Sequence, residues 1–325
     1  MADCVLVTGS SGFLGAWIVK DLIERGLKFV LFDRDSDLRR LDEVMPGHPA
    51  DLTAVTGDIS DVASLTGCMR QHEVTSVIHL AGLQIPACRS DPMKGAQVNV
   101  GGTLAVFEAA RQAGTVKQIA YASSAAVIGP EESYPPGLVP NDAPLYPATH
   151  YGVFKQCNEG NAKIYFQDHG VSSIGLRPWT VYGVGRDQGV TSDATRAIKS
   201  AVVDRPFTIR YAGRNALQFA GDVAAAFVLA ALDRGKLAAT FNLRGDVVEM
   251  TKFISLVEEL KPSAKGRIQL SGGPIPVACN LDDSELRRFM PDLPQTPLRE
   301  GIQRTLEAFE SQHAAGRLST HDLDE

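Results

Sequence analysis

The feature that most constrains this chain is its opening run, Val5-Leu-Val-Thr-Gly9-Ser-Ser-Gly12-Phe-Leu-Gly15-Ala-Trp-Ile-Val-Lys20. The short apolar segment reads as a buried parallel strand, the glycines as a tight turn, and the amphipathic stretch to about Arg25 as a helix. Glycines at those places let the backbone approach a phosphate closely while the helix N-terminus faces the anion. The spacing is Gly-x-x-Gly-x-x-Gly, not the commoner Gly-x-Gly-x-x-Gly. A second apolar run, Phe29-Val-Leu-Phe32, ends in Asp33. That acid lies about twenty residues past the glycines, where a carboxylate accepts hydrogen bonds from adenosine ribose hydroxyls. Strand, turn, helix, strand and acid in this order point to a dinucleotide-binding unit, against the blander reading of an exposed strand with a stray acidic end.

Strands and helices then alternate to about residue 176, the pattern of a parallel sheet covered on both faces. Strands are expected over 5–7, 28–32, 52–56, 76–80, 118–122 and 172–176. Helices are expected over 13–25, 61–71, 93–113 and 149–168, with Gly26, Gly114 and Gly170 as C-terminal stops. The stretch 129–147 holds six prolines and reads as a surface loop that could wall an active site.

The helix over 149–168 carries Tyr151 and Lys155, and residues i and i+4 share a helical face. A neighbouring ammonium favours the phenolate, so Tyr151 is expected to titrate below its usual value near ~10 and to act as a general base. Ser123 and Ser124, in Tyr121-Ala-Ser-Ser-Ala-Ala-Val-Ile-Gly129, supply a hydroxyl upstream of the pair. His79 lies in a strand and reads as a packed core histidine.

Taken together, these residues resemble the extended short-chain dehydrogenase/reductase superfamily, in its NAD-dependent epimerase/dehydratase branch. The resemblance also rests on Gly57-Asp58-Ile59, His79-Leu-Ala-Gly82, Asn99-Val-Gly-Gly-Thr103, Arg177-Pro178-Trp-Thr-Val-Tyr-Gly183 and Asp222-Val223. It implies an α/β fold: a Rossmann-type doubly wound parallel sheet from 1–178 plus 219–243, and a smaller, discontinuous substrate domain from 179–218 plus 244–315. Residues 316–325 would be a loose polar tail. It implies that Ser124, preferred to Ser123, orients the substrate hydroxyl, that Tyr151 is the acid/base, and that Lys155 holds the nicotinamide ribose. It further implies cofactor contacts from Gly9, Ser11, Gly12, Phe13, Leu14, Gly15, Asp33, Arg34, Asp58, Ile59, Leu80, Ala81, Gly82, Asn99, Tyr151, Lys155 and Pro178. Asn99 reads chiefly as an amide bridging helix and strand. Asp33 favours NAD over NADP, because a carboxylate at the ribose repels a 2′-phosphate, although Arg34 follows it. Helices 93–113 and 149–168 would pair in a homodimer.

Departures from the family pattern narrow the chemistry. Sugar-nucleotide dehydratases of this family follow the Ser/Thr with Asp-Glu; Ala125-Ala126 stands here, which disfavours dehydration. Thr180 replaces an Asn that commonly reaches substrate phosphates. Asn215 takes the place of an Arg, with Arg214 one position early, and Ser271-Gly-Gly-Pro-Ile-Pro276 replaces an Arg-x-Gly-Asp/Glu segment. Arginines at such places fork onto phosphate. A substrate without a nucleotide diphosphate is therefore expected: a free sugar, sugar acid or polyol, oxidised at a secondary alcohol. Gln84, Ser124, Thr180, Arg186 and Arg214 are the candidate lining residues, and Arg186 and Arg210 the candidates for a carboxylate or single phosphate. Ile128, where relatives often have Tyr, would make one wall more apolar. Two other readings stay open: an epimerase of (nucleotide-)sugars with tightly held NAD, and a non-catalytic dinucleotide-binding regulator.

Composition fits these expectations. At 325 residues with 44% apolar letters, the chain can bury a full core and a second, smaller unit. A formal charge of −6 offers no basic patch for nucleic acid or an anionic membrane. No apolar stretch reaches the ~20 residues a membrane helix needs, and the first apolar run, broken by glycines, does not read as a signal peptide. Five cysteines without Cys-x-x-Cys spacing argue for reduced thiols in a cytoplasmic protein and against a metal site. Cys157 is expected to be packed inside.

Overall fold

A computed structural model describes residues 3–324; residues 1, 2 and 325, at the ends of the expected first domain and tail, lie outside the described residues. Seven parallel strands form the main sheet: β1 (Cys4–Thr8), β2 (Lys28–Asp33), β3 (Ala54–Thr56), β4 (Ser76–His79), β5 (Gln118–Ala122), β6 (Ser173–Arg177) and β10 (Ala238–Asn242). Their spatial order is β10-β6-β5-β4-β1-β2-β3. Both faces are covered, so the central strands read as continuous apolar runs and β1 is buried along its whole length. On one face Ile18 and Leu22 of α1 (Phe13–Glu24) pack with Ala224, Phe227 and Val228 of α9 (Ala220–Leu232). On the other, Leu65 and Met69 of α3 (Val62–Gln71) meet Val106, Phe107 and Ala110 of α6 (Gly102–Ala113). Strand order reverses at β1, between β2 and β4, and the crevice outside the carboxyl ends of these strands is where such sheets bind ligands.

The helix expected over 93–113 is in fact α5 (Pro92–Ala96), a π-helical turn (Gln97–Gly101) and then α6. Such wide turns recur at functional sites, and here the turn carries Asn99. Two short helices, α2 (Arg39–Val44) and α4 (Ile85–Ser90), lie in stretches too short to show a period. The long helix α7 (His150–His169) is N-capped by Thr149, whose hydroxyl accepts from Gly152 N at 3.1 Å.

Beyond β6 the chain builds a three-stranded sheet from β7 (Thr180–Tyr182), β9 (Arg214–Phe219) and β11 (Asp246–Glu249). A two-stranded pair follows, β8 (Phe207–Ile209) with β12 (Ile268–Leu270). A separate apolar cluster links these strands with α8 (Asp193–Val202), α10 (Met250–Leu260) and α12 (Leu298–Ala314). Part of the expected substrate domain behaves differently: Leu286, Met290 and Leu293 pack in the core of the large sheet. The C-terminal segment is also not loose through residue 324. Asp322 is buried and accepts from Lys199 Nζ at 2.8 Å, while Leu323 packs against the second cluster. A buried ion pair at position 322 is a long-range contact that local polarity does not reveal.

The proline-rich stretch 129–147 packs with 277–281 into a small core of its own containing Val139, Ala143 and Leu281. Ile128 belongs to that core and not to a pocket wall. Cys157 is exposed, contrary to expectation, because its side of α7 faces solvent; the other four cysteines are buried and all five are free.

His79 is fully buried, as expected, between Thr8 Oγ1 at 2.8 Å and Thr103 Oγ1 at 3.0 Å. Burial, and to a lesser degree the Lys155 charge, pull its pKa down to about 3. The unfolded chain therefore binds a proton that the folded chain refuses, so stability is lost as pH falls below 6.5 towards about 3. That interval corresponds to on the order of 5 kcal/mol. In urea unfolding at a series of pH values, His79→Gln is expected to flatten this acid slope; an unaltered slope would assign the loss to other groups.

Candidate active site

The cleft at the strand ends holds two adjoining cavities. One, of about 590 Å³, runs from the glycine turn past Asp33, Arg34, Asp58 and Ile59 to Leu80, Ala81 and Gly82. The other, of about 290 Å³, lies between the glycine turn, Ser124, Tyr151, Lys155 and Pro178. All the expected cofactor contacts line one or both, except Asn99.

Local geometry explains the first cavity. Gly9 has φ +72°, and a Cβ there would stand 2.6 Å from Ala81 N, so only glycine lets β1's turn touch the end of β4. Asp33 closes the far end, accepting from Ser11 N at 3.0 Å and from Arg34 N at 2.7 Å. Asp58 is turned onto the backbone and hydroxyl of Ser60, which hold its carboxyl below the usual range. Asn99 acts from behind: its amide accepts from Leu83 N at 2.6 Å and donates to Leu83 O at 2.9 Å. It shapes the loop after β4 and does not face the cavity.

The second cavity settles which serine is available. Ser123 is buried and donates to Glu159 Oε1 at 2.5 Å, and Glu159 is gripped by both arms of Arg177 at 2.7 and 2.8 Å. Ser124 lines the cleft, its Oγ accepts from Ala126 N at 3.1 Å, and its hydroxyl is hydrogen-bonded to Tyr151. Tyr151 is brought to Ser124 by close backbone contact. A Cβ at Gly152 would lie 2.2 Å from Ala126 O, so the start of α7 presses directly on the turn after Ser124. Lys155 is buried, donates to Ala122 O at 2.7 Å, and lies 5.5 Å from the Tyr151 ring centre.

The electrostatics correct one expectation. Tyr151 titrates above, not below, its ordinary value: burial raises it, and the Ser124 hydrogen bond and the Arg186 charge pull back less. Lys155 itself is drawn down to about 8 by burial. At Tyr151 desolvation thus outweighs the Ser124 hydrogen bond and the Arg186 charge in the cofactor-free protein.

Of the expected substrate residues, Gln84, Ser124 and Arg186 line the cleft. Thr180 does not; it is fully buried with its hydroxyl 3.1 Å from Asn215 Oδ1. Arg214 points to the surface and pairs with Glu131 at 3.2 Å. Arg210 is spent on the buried Asp193 at 2.7 Å. The walls come instead from Trp179, Val181, Val190, Thr191, Ile275 and Val277, and none of 129–147 takes part. Trp179, next to Pro178, was within reach of the motif. Ile275 lies in the 271–276 segment already singled out for its missing arginine, and Val277, just past it, carried no signal of its own.

A glycine-turned parallel sheet with Ser124, Tyr151 and Lys155 converging beside the turn defines a dinucleotide-dependent oxidoreductase site. The model of the NAD dependent epimerase/dehydratase family matches residues 5–243. Among curated relatives, UDP-glucose 4-epimerase of Mycolicibacterium smegmatis is 30% identical over 94% of this chain and 97% of its own length. That of Azospirillum brasilense is 33% identical over 61% of this chain and 55% of its own length. The Thermus thermophilus UDP-glucose 4-epimerase, solved with NAD, superposes with a TM-score of 0.78 at 25% identity, covering 94% of this chain and 98% of that one. The chain belongs to the NAD-dependent epimerase/dehydratase family and is an NAD-dependent enzyme of the extended short-chain dehydrogenase/reductase type.

The residues present fit the family's cofactor. Gly9 and Gly12 line the larger cavity with bare backbone that a phosphate could approach, and Asp33 at its far end stands where ribose hydroxyls would be met. Lys155 and Tyr151 stand at the boundary with the second cavity, where the dinucleotide, when bound, supplies a hydride acceptor.

Proposed function

We propose that the protein is an NAD-dependent dehydrogenase of a secondary alcohol on a small, carbohydrate-like hydroxy compound, with no nucleotide diphosphate in the substrate. The observation that carries this reading is the second cavity. At about 290 Å³ it is at the small end of ligand pockets. The arginine nearest the family's diphosphate position, Arg214, is directed to the surface. Ser124 donates to the substrate oxygen, Tyr151 removes the hydroxyl proton, and Lys155 stabilises the phenolate that Tyr151 must become. Ala125 and Ala126 provide no acid for elimination, and among the described residues lining this cavity there is no carboxylate.

The second reading is epimerisation of a sugar nucleotide, favoured by the UDP-glucose 4-epimerases among the relatives. The two separate spectroscopically. With NAD and a panel of free sugars, sugar acids, polyols and UDP-sugars, we expect absorbance to rise at 340 nm with an unlinked substrate. A flat trace with slow conversion of a UDP-sugar into its epimer by NMR would replace the dehydrogenase reading. Absence of chemistry with tight NAD binding would favour a regulator.

The assembly we assign is a homodimer. Met93 near the start of α5, and Val153 and Ile164 on α7, are exposed apolar side chains on the two helices expected to pair. Ile164→Glu is expected to shift the mass measured by light scattering from dimer to monomer, and a wild-type monomer at micromolar concentration would remove the assignment. Five free cysteines suit a reducing, cytoplasmic setting.

A further inference from the structure

The smaller cavity has two cationic side chains among its described lining residues, Lys155 and Arg186, and Arg186 also borders the larger, cofactor-side cavity. Lys155 already donates to Ala122 O. Arg186 is less committed. Its Nε is buried with no hydrogen-bond partner among the described residues, and the one hydrogen bond described for it is a long one, from Nη2 to Thr191 Oγ1 at 3.3 Å. A guanidinium carries five N–H donors, so most of its capacity is unspent.

The segment bearing Arg186 is held firmly over the cleft. Val184 O accepts from Trp17 Nε1 at 3.0 Å, and both Asp187 oxygens accept from Arg40 Nη2 at 2.9 and 2.8 Å. The adjacent acid is therefore engaged by another arginine. The Arg186 guanidinium lies over the Phe13 ring, 5.4 Å from its centre, within cation–π range. It lines the same cavity as Ser124 and Tyr151, which places it on the reacting side of the cleft. A half-buried guanidinium with a buried, unpartnered Nε is unfavourable alone and favourable once a planar anion meets its fork.

We infer that Arg186 is the carboxylate-recognition residue of the substrate pocket, and that the substrate is a hydroxy acid. This rests on the dehydrogenase reading above. A phosphate ester fits less well: a dianion calls for a second cation, and the other cation of the described lining, Lys155, already donates to Ala122 O. One fork matches one monoanionic carboxylate.

The test compares each acid with its alcohol counterpart, D-glycerate with glycerol and D-gluconate with sorbitol, by NADH formation at 340 nm. It uses full-length wild type, Arg186→Lys and Arg186→Met. Wild type is expected to favour the acids by about a hundredfold or more in kcat/KM. Arg186→Met should bring the acid-to-alcohol ratio close to one, and Arg186→Lys should recover part of it, since charge returns without the fork. NAD affinity, measured by calorimetry, is expected to hold in both variants. The kcat/KM profile of Arg186→Met should also shift to higher pH, because Arg186 lowers the Tyr151 pKa.

A wild type that oxidises the alcohols as well as the acids, or a ratio that survives Arg186→Met, overturns the inference and leaves the dehydrogenase reading standing. A loss of NAD affinity matching the loss of activity would assign Arg186 to the cofactor's phosphates and overturn it as well. Turnover of UDP-sugars alone, or no turnover with any hydroxy acid, overturns it too; the first outcome also removes the reading beneath it.

Discussion

Tyr151→Phe is expected to reduce kcat/KM by about a hundred- to ten-thousand-fold, the range for loss of a positioned general acid or base. NAD affinity and thermal stability should change little, because the ring is kept and only the hydroxyl is removed. The hydroxyl's described partner is Ser124, which retains its backbone bond from Ala126 N. The wild-type pH profile gives a second readout. Burial holds the Tyr151 phenol protonated at neutral pH in the cofactor-free protein, so the rate of alcohol oxidation should climb as pH rises above neutrality. Lys155, drawn to about 8, limits that climb by losing its own charge. The measurement is initial NADH formation between pH 6 and 10 with the substrate found at 340 nm. If Tyr151→Phe kept wild-type turnover, Tyr151 would not be the acid/base and the chemistry would need another proton acceptor.

The largest expected stability effect lies just behind the site. Glu159→Gln leaves Arg177 buried with its charge uncompensated, and breaking a buried pair on one side typically costs about 3–5 kcal/mol. Arg177 is anchored by more than the pair, donating also to Asn141 O at 2.9 Å and to Asn242 Oδ1 at 3.1 Å. It therefore ties α7 and β6 to the loop over 129–147 and to β10. In the same variant the amide oxygen still accepts from Ser123 and Arg177 Nε, but the amide NH2 then faces Arg177 Nη2, donor against donor. Urea unfolding should show a lower midpoint with an unaltered slope. The double change Glu159→Leu with Arg177→Met should recover much of the loss, since neither charge is then stranded. A single-variant loss below about 1 kcal/mol would mean that water reaches the pair and that it is not the buried tie described here.

The dinucleotide unit was largely legible in the sequence because its determinants are local and periodic. Strand runs, the glycine turn, Asp33 at the end of β2 and the Tyr151/Lys155 spacing each depend on neighbours within a few residues, and the structure retains them all. The glycine turn was readable from its spacing, and the structure adds why position 9 needs glycine: φ is +72° and the contact with Ala81 admits no side chain.

Everything that depended on partners distant in the chain was decided by the tertiary structure. Ser124 faces the cleft beside Tyr151 and Ser123 does not serve it, because Glu159 arrives from α7 to claim Ser123. Arg210 and Arg214 are taken by Asp193 and Glu131, whereas Arg186 keeps an unpaired nitrogen. The direction of the Tyr151 pKa shift was misjudged from spacing because helical periodicity reports which charges are near, but burial is a property of the closed cleft. The terminal segment is docked by Asp322 on Lys199, 123 residues away. Sequence by itself determined which backbone could bind a dinucleotide and which helix carries the acid/base. Only the assembled chain decided which polar groups remain unpaired and facing the substrate, since pairing and desolvation are set by what packs against each group, not by what precedes it.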